Sequence, residues 1–473
     1  MTLEYILVLI SISILLGFVS HPLWRVYLLF ITSVLILFVI QPALPIRYLD
    51  FYLPSVTLAL AVSAWVLTTP RDARNWRRNW PALAILAGSL LILGLTRYLD
   101  GSLPILPSRA PQVTSVLLFI FAAGLILLFT TLISSPGKIL SLSIGILVIA
   151  LLALIKLPEL SLQVSIFLRN LNQQSLETAS AFDIRWLGFS YVAFRIIHTI
   201  RDRQSGRLPA VSLAEYVVYI VFFPTIVAGP IDRLERFVGD LRRSYQRVAQ
   251  DWGMAGQRIV IGLFKKFVIA DSLALFALNA TNATQVEDWA WAWILLYAFS
   301  LQIYFDFSGY TDIAIGLGYL LGFKLPENFN SPYLKPNITQ FWNTWHMSLT
   351  QWFRAYYFNP LTRSLRTLKK PLSIGLIVFI TQISTMVLIG LWHGATWSFI
   401  FWGIWHGLGL FAHNRWSEWT KGYFSTLSSR LRTLLAVGGT VVTFNFVALG
   451  WVFFVLPEPG NAYQFFQTLF HLI

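Results

Sequence analysis

FWNTWHMSLTQWFR, residues 341–354, sets three tryptophans and two phenylalanines around one histidine and one arginine. Aromatic residues at that density belong to membrane interfaces and to helices packed in lipid. Titratable groups in the same stretch need something wet or a buried partner. The composition of the whole chain extends the reading. Of its 473 residues 56% are hydrophobic and 12% charged, with a mean hydropathy of +0.65. A soluble domain carries roughly 25% charged residues. The chain therefore reads as an all-α polytopic membrane protein.

Apolar runs of spanning length fall near 3–20, 23–42, 51–68, 80–96, 113–134, 139–157, 185–199, 212–231, 257–280, 287–306, 371–391, 394–412 and 433–456. They predict about 11–13 membrane segments in a single integral membrane domain, 1–473. Residues 1–184 read as conventional transmembrane helices, and 185–456 hold the polar groups that could carry chemistry. No basic region precedes the first apolar run, so no cleaved signal peptide is expected. The basic stretches PRDARNWRRNW (70–80), RDRQSGR (201–207), RLERFVGDLRRSYQR (233–247) and 354–370 are expected on the cytoplasmic side. That leaves 212–231 between two cytoplasmic flanks. Its FFPTIVAGPID carries Pro224, Gly229 and Pro230, which predict a broken or re-entrant helix.

On one continuous helix over 341–356, Asn343, His346, Thr350 and Arg354 fall within about 80° of each other. Trp342, Trp345, Leu349, Trp352, Phe353 and Tyr356 then take the opposite side. Such a polar stripe faces bulk water on an interfacial helix, or lines a wet entry into the bundle. Further along, LIGLWHGATWSF (388–399) holds His393 between Gly390 and Gly394. An ionisable group at membrane depth is a site candidate, and imidazole suits proton transfer near neutrality; a hydrogen-bonded structural histidine is the alternative. His406 lies 13 residues on, so on a continuous helix it could not share a site with His393. IYFDFSGYTDIAIGLGYLLG (303–322) carries Asp306 and Asp312, and GLFKKFVIADSLA (262–274) carries Lys265 and Lys266. Buried carboxylates there require pairing or protonation, while the lysines could snorkel.

Cysteine is absent, which excludes disulfides, thiolate catalysis and Cys-ligated metals. The histidine spacings form no metal-binding pattern, and no metal is expected. No Walker A loop, HExxH, GxSxG or GxGxxG stands in the required context. The net charge of +14 fits cytoplasmic loops and contact with anionic membrane lipids, with no nucleic acid as partner.

Five stretches together resemble the membrane-bound O-acyltransferase family, and within it the bacterial branch of alginate O-acetylation and teichoic-acid D-alanyl transfer proteins. They are FFPTIVAGPIDRLERF (222–237), GLFKKFVIADSLA (262–274), QIYFDFSGYTDIAIGLGYLLGF (302–323), FWNTWHMSLTQWFR (341–354) and LIGLWHGATWSFIFWGIWHG (388–407), in family order. The resemblance implies a helical bundle with a central funnel from each side. It implies that His393 matches the family's invariant histidine and His346 its second histidine, with Asn343 and Arg354 around the latter. Two stretches depart from the branch: NPLTRSLR (359–366) lacks the Gly-Gly pair common in acetylating members, and Val455 stands where an arginine is common.

The function so implied is transfer of an acyl group, acetyl first among the choices, from a cytoplasmic thioester to a hydroxyl of an extracytoplasmic polysaccharide or envelope polymer. D-alanyl or another acyl group, and a lipid acceptor, are alternatives. The donor would be acetyl-CoA or acyl carrier protein, with no bound cofactor, and an extracytoplasmic acyltransferase is the expected partner. His393 would serve as general base, and His346, Asn343 or the Trp392 indole as oxyanion donor. The location expected is the bacterial cytoplasmic membrane. A proton-coupled transporter or flippase, with Asp306, Asp312 and His393 as relay, is the competing class.

Overall fold

The computed structural model describes residues 2–70, 74–99, 106–132, 138–243 and 249–472. Residues 71–73 of the first basic stretch and 244–247 of the third lie outside these. The described chain is helical, without strands. It forms two compact units, Met1–Ile259 with Ala314–Leu325, and Val260–Ile313 with Pro326–Ile473.

Among the described residues seven helices are long and apolar enough to cross a membrane. A bent pair, Leu142–Lys156 and Pro158–Leu171, meeting at 92°, would make eight. The apolar runs are more numerous, because some fall in helices that are shorter or more polar than a span requires. The helix in 212–231 covers only Leu213–Val221, nine residues, or roughly 14 Å at 1.5 Å per residue. It stops just before Pro224, as the breakers predicted. In the run at 257–280 the helix Ala249–Leu263 continues through a π-helical stretch, Phe264–Ala270, into Asp271–Ala274 and ends there. The first run forms only a 15-residue helix, Leu3–Gly17.

In the first unit, Leu49–Thr68 is the most enclosed of the spans. Two buried arginines serve as helix-end caps there. Arg25 donates to the carbonyls of Asp240, Leu241 and Arg243 at the end of Leu234–Arg242, and to Leu321 O at 2.7 Å. Arg195 donates to Tyr219 O and Ile220 O at the end of Leu213–Val221, and to the Thr225 hydroxyl. Each guanidinium answers carbonyls that a helix terminus leaves open, at the pole of the helix dipole that favours cations. These arginines therefore secure the short helices where the chain is broken.

In the second unit, Ile374–His393 and Trp397–Thr426 form a tight antiparallel hairpin. Small residues let the two backbones approach. A Cβ on Gly403 would lie 2.6 Å from Val387 Cα, and one on Gly390 would collide with the Phe399 carbonyl oxygen. Close approach through glycine replaces the hydrophobic drive that lipid cannot supply. The helix Trp289–Leu320 belongs to this unit as far as Ile313.

Candidate active site

The hairpin decides how His393 and His406 are related. Residues 388–407 are not one continuous helix: the first helix ends at His393, the chain turns through 394–396, and the second starts at Trp397. Gly394 fits the turn because a Cβ there would lie 2.7 Å from the Phe399 ring. His393 and His406 consequently come near the same side chain. The ring centroid of Trp402 is 5.7 Å from that of His393 and 4.9 Å from that of His406.

His393 is only partly buried. Its ring stacks on Phe399 at 5.9 Å and meets Phe454 edge-on at 4.8 Å and Trp392 at 4.5 Å. His406 is fully buried among Trp342, Trp402, Phe446 and Trp451. Its Nε2 would lie 2.6 Å from a Cβ on Gly450, so only glycine leaves room for that imidazole.

The opening stretch corrects an expectation. The single amphipathic helix over 341–356 does not exist. Ile338–Thr344 is one helix and Met347–Phe353 another, and His346 between them adopts the left-handed conformation, φ 43° and ψ 53°. A non-glycine residue held there costs about 1–2 kcal/mol. The break folds the polar positions apart. His346 is buried at 3% exposure, whereas Asn343 and Arg354 are exposed and pair with each other, Arg354 Nη2 donating to Asn343 Oδ1 at 2.8 Å. On one helix those two residues would be roughly 16 Å apart along the axis. The wet stripe is thus an Asn–Arg pair, and the histidine has turned inward.

Inside, the His346 ring lies edge-on to Phe307 at 4.7 Å and 6.3 Å from the Trp392 ring. Neither of its nitrogens has a hydrogen-bond partner among the described residues. The Trp392 ring neighbours two imidazoles, one buried and one partly open. Phe307 comes from the helix that carries Asp306 and Asp312. Those carboxylates are paired: Lys265 Nζ meets Asp312 Oδ2 at 2.7 Å, and Lys266 pairs with Asp306. The lysines do not snorkel. The π-helical turn Phe264–Ala270 lets two consecutive lysines address the same neighbouring helix, and π turns recur at functional sites. A second such turn, Arg354–Phe358, follows directly on the helix Met347–Phe353.

The sequence singled out His346, Trp392 and His393, and the fold brings them together. It separates Asn343 and Arg354 from His346, and it ties Asp306 and Asp312 to lysines. Phe307, Phe399 and Phe454, which wall the histidines, had no distinguishing signal among 37 phenylalanines. Among the described residues no group of three His, Asp or Glu side chains could hold a metal ion.

Apolar spans, broken helices and aromatic-walled imidazoles define a polytopic helical membrane protein. The model of the MBOAT, membrane-bound O-acyltransferase family, matches residues 125–456. The chain belongs to that family, which makes it an O-acyltransferase by class. It is 34% identical over 277 residues to a teichoic acid D-alanyltransferase of Bacillus subtilis, covering 57% of this chain and 69% of that protein. It is 37% identical over 242 residues to a peptidoglycan O-acetyltransferase of Helicobacter pylori, covering 51% and 43%. A probable alginate O-acetylase AlgI of Pseudomonas aeruginosa is 33% identical over 285 residues, covering 60% and 51%. The match thus spans about half the length of the latter two proteins.

Proposed function

We propose that this protein transfers a short acyl group, acetyl first, from a cytoplasmic thioester of CoA or acyl carrier protein to a hydroxyl of an extracytoplasmic envelope polymer, directly or through an extracytoplasmic acyltransferase. The observation that carries the reading is that the His346 and His393 rings both neighbour Trp392. In the chemistry proposed, His393 removes the proton from the acceptor hydroxyl. The oxygen attacks the thioester carbonyl, and the tetrahedral intermediate expels the thiolate. The imidazolium then returns its proton to the leaving sulfur, so ester and thiol form with no net proton change. A thioester is reactive enough to need no more than base and oxyanion assistance. His393 is the better base because it is partly open to a substrate. His346, with no protein partner for its ring nitrogens among the described residues, and the Trp392 indole are the donors nearest to hand.

The competing transporter reading draws less from the geometry. It needs Asp306 and Asp312 as a proton relay, but both are engaged by lysines. A bacterial cytoplasmic membrane suits a reaction that joins a cytoplasmic thioester to an external hydroxyl.

The decisive experiment compares alkali-labile ester in envelope polymers from cells with the wild type, with His393→Ala, and without the protein. Ester restored by the wild type alone supports the proposal, and the mass of the released acid names the acyl group. Equal ester in all three, with the variant present in the membrane, overturns it.

A further inference from the structure

The left-handed corner at His346 is built from outside its own helices. His346 precedes Met347–Phe353 without capping it through its side chain. The cap comes from the loop before the first helix. Met347 N–H donates to the backbone oxygen of Asn328 at 2.9 Å, and Ser348 N–H donates to the Asn328 side-chain oxygen at 3.1 Å. On the other side of the corner, Asn330 N–H donates to Thr344 O at 3.0 Å. The hydrogen bonds thus bracket His346, two after it and one before it. Asn328 is fully buried, so water does not replace these bonds when they are lost. Only the oxygen end of its amide is used; Nδ2 has no hydrogen-bond partner among the described residues. Asn328 therefore supplies an N-cap from 18 residues upstream, where a capping residue would ordinarily sit in the chain itself.

We infer that Asn328 is a positioning residue that fixes the backbone of His346 in its left-handed turn and so aims the imidazole at Trp392 and the reacting centre. The inference rests on the acyl-transfer reading. Without the side-chain acceptor, the buried Ser348 N–H loses the bond that Asn328 Oδ1 supplies. The corner then regains hydrogen bonds by continuing as helix, which swings the imidazole out of register. A displacement of about 1 Å at such a group costs about 10²-fold in rate.

The test uses the full-length protein in its native membrane, with envelope ester as readout and membrane abundance and thermal unfolding as controls. The variants are N328A, N328D, H346A and N328A/H346A. Aspartate keeps the acceptor oxygen and suits a helix N-terminus. The expected result is that N328A loses ester as H346A does, that the double variant is no worse than H346A, and that N328D restores ester. Loss in N328A that N328D does not restore, or wild-type ester in N328A, overturns the inference. Should N328A fail to insert, inserted N328D decides alone: wild-type ester supports the role, and ester at the H346A level overturns it. Wild-type ester in H346A while H393A has none removes the role of His346, and Asn328's with it, yet leaves the transferase reading standing. Equal ester in H393A and the wild type sinks the transferase reading itself.

Discussion

His393 and His346 sit in different environments, and their substitutions separate by kind. Removing a general base costs about 10²–10⁴-fold in rate, so in the proposed mechanism His393→Ala should reduce ester formation by that factor while the protein still inserts. Quantitative ester release against membrane abundance reads it directly. Trp392 contacts both imidazoles. If its indole N–H supports the oxyanion, Trp392→Phe lowers kcat by about 10²–10³-fold; an unchanged kcat restricts the residue to spacing the histidines. Arg354 is exposed and bound to Asn343. Arg354→Ala should raise KM for a phosphate-bearing thioester and spare kcat, and an unchanged KM would remove it from donor binding. These residues were legible because histidine, arginine and tryptophan are conspicuous against apolar sequence. Asn328 was not, since an asparagine in a polar loop looks like any other and its partners lie 19 and 20 positions away.

Among elements, the hairpin of Ile374–His393 and Trp397–Thr426 depends on glycine contacts that place His393 at its turn. Gly390→Ala introduces a Cβ against the Phe399 carbonyl, a backbone atom that cannot rotate away. The expected cost is about 1–3 kcal/mol, seen as a lower unfolding temperature together with lost ester. Unchanged thermal stability would show that the hairpin opens more easily than its packing indicates. Helix identity along the chain followed from apolar length, but helix endings did not. The break at 345–346 falls within a stretch that periodicity treats as uniform, whereas the turn at 394–396 lies at the boundary between two apolar runs. The first is held by Asn328, far away in sequence, and at the second the Phe399 ring leaves no room for a Cβ on Gly394.

For the whole molecule, the lack of cysteine makes topology directly measurable. Leu213–Val221 is too short to span, and basic residues flank it on both sides. Ser205→Cys and Glu235→Cys, both exposed positions, should therefore react with an impermeant maleimide from the same, cytoplasmic side. Labelling from opposite sides would mean that the chain crosses the membrane there. Window hydropathy registers apolar segments whether or not they run straight for about 20 residues, so it marks more segments than the seven described helices that are long and apolar enough to span.

The sequence alone determined that this chain lives in a membrane as helices, that it belongs with the O-acyltransferases, and that His346, Trp392 and His393 are the side chains to watch. Composition, segment length and ordered motifs are local properties, and local properties survive in one dimension. The tertiary structure alone decided that His346 turns inward from a strained corner while Asn343 and Arg354 face out, that Lys265 and Lys266 neutralise Asp312 and Asp306, and that His393 and His406 flank one tryptophan. Each of those depends on hydrogen bonds, ion pairs or close backbone approach between residues far apart in the chain, which no periodicity records.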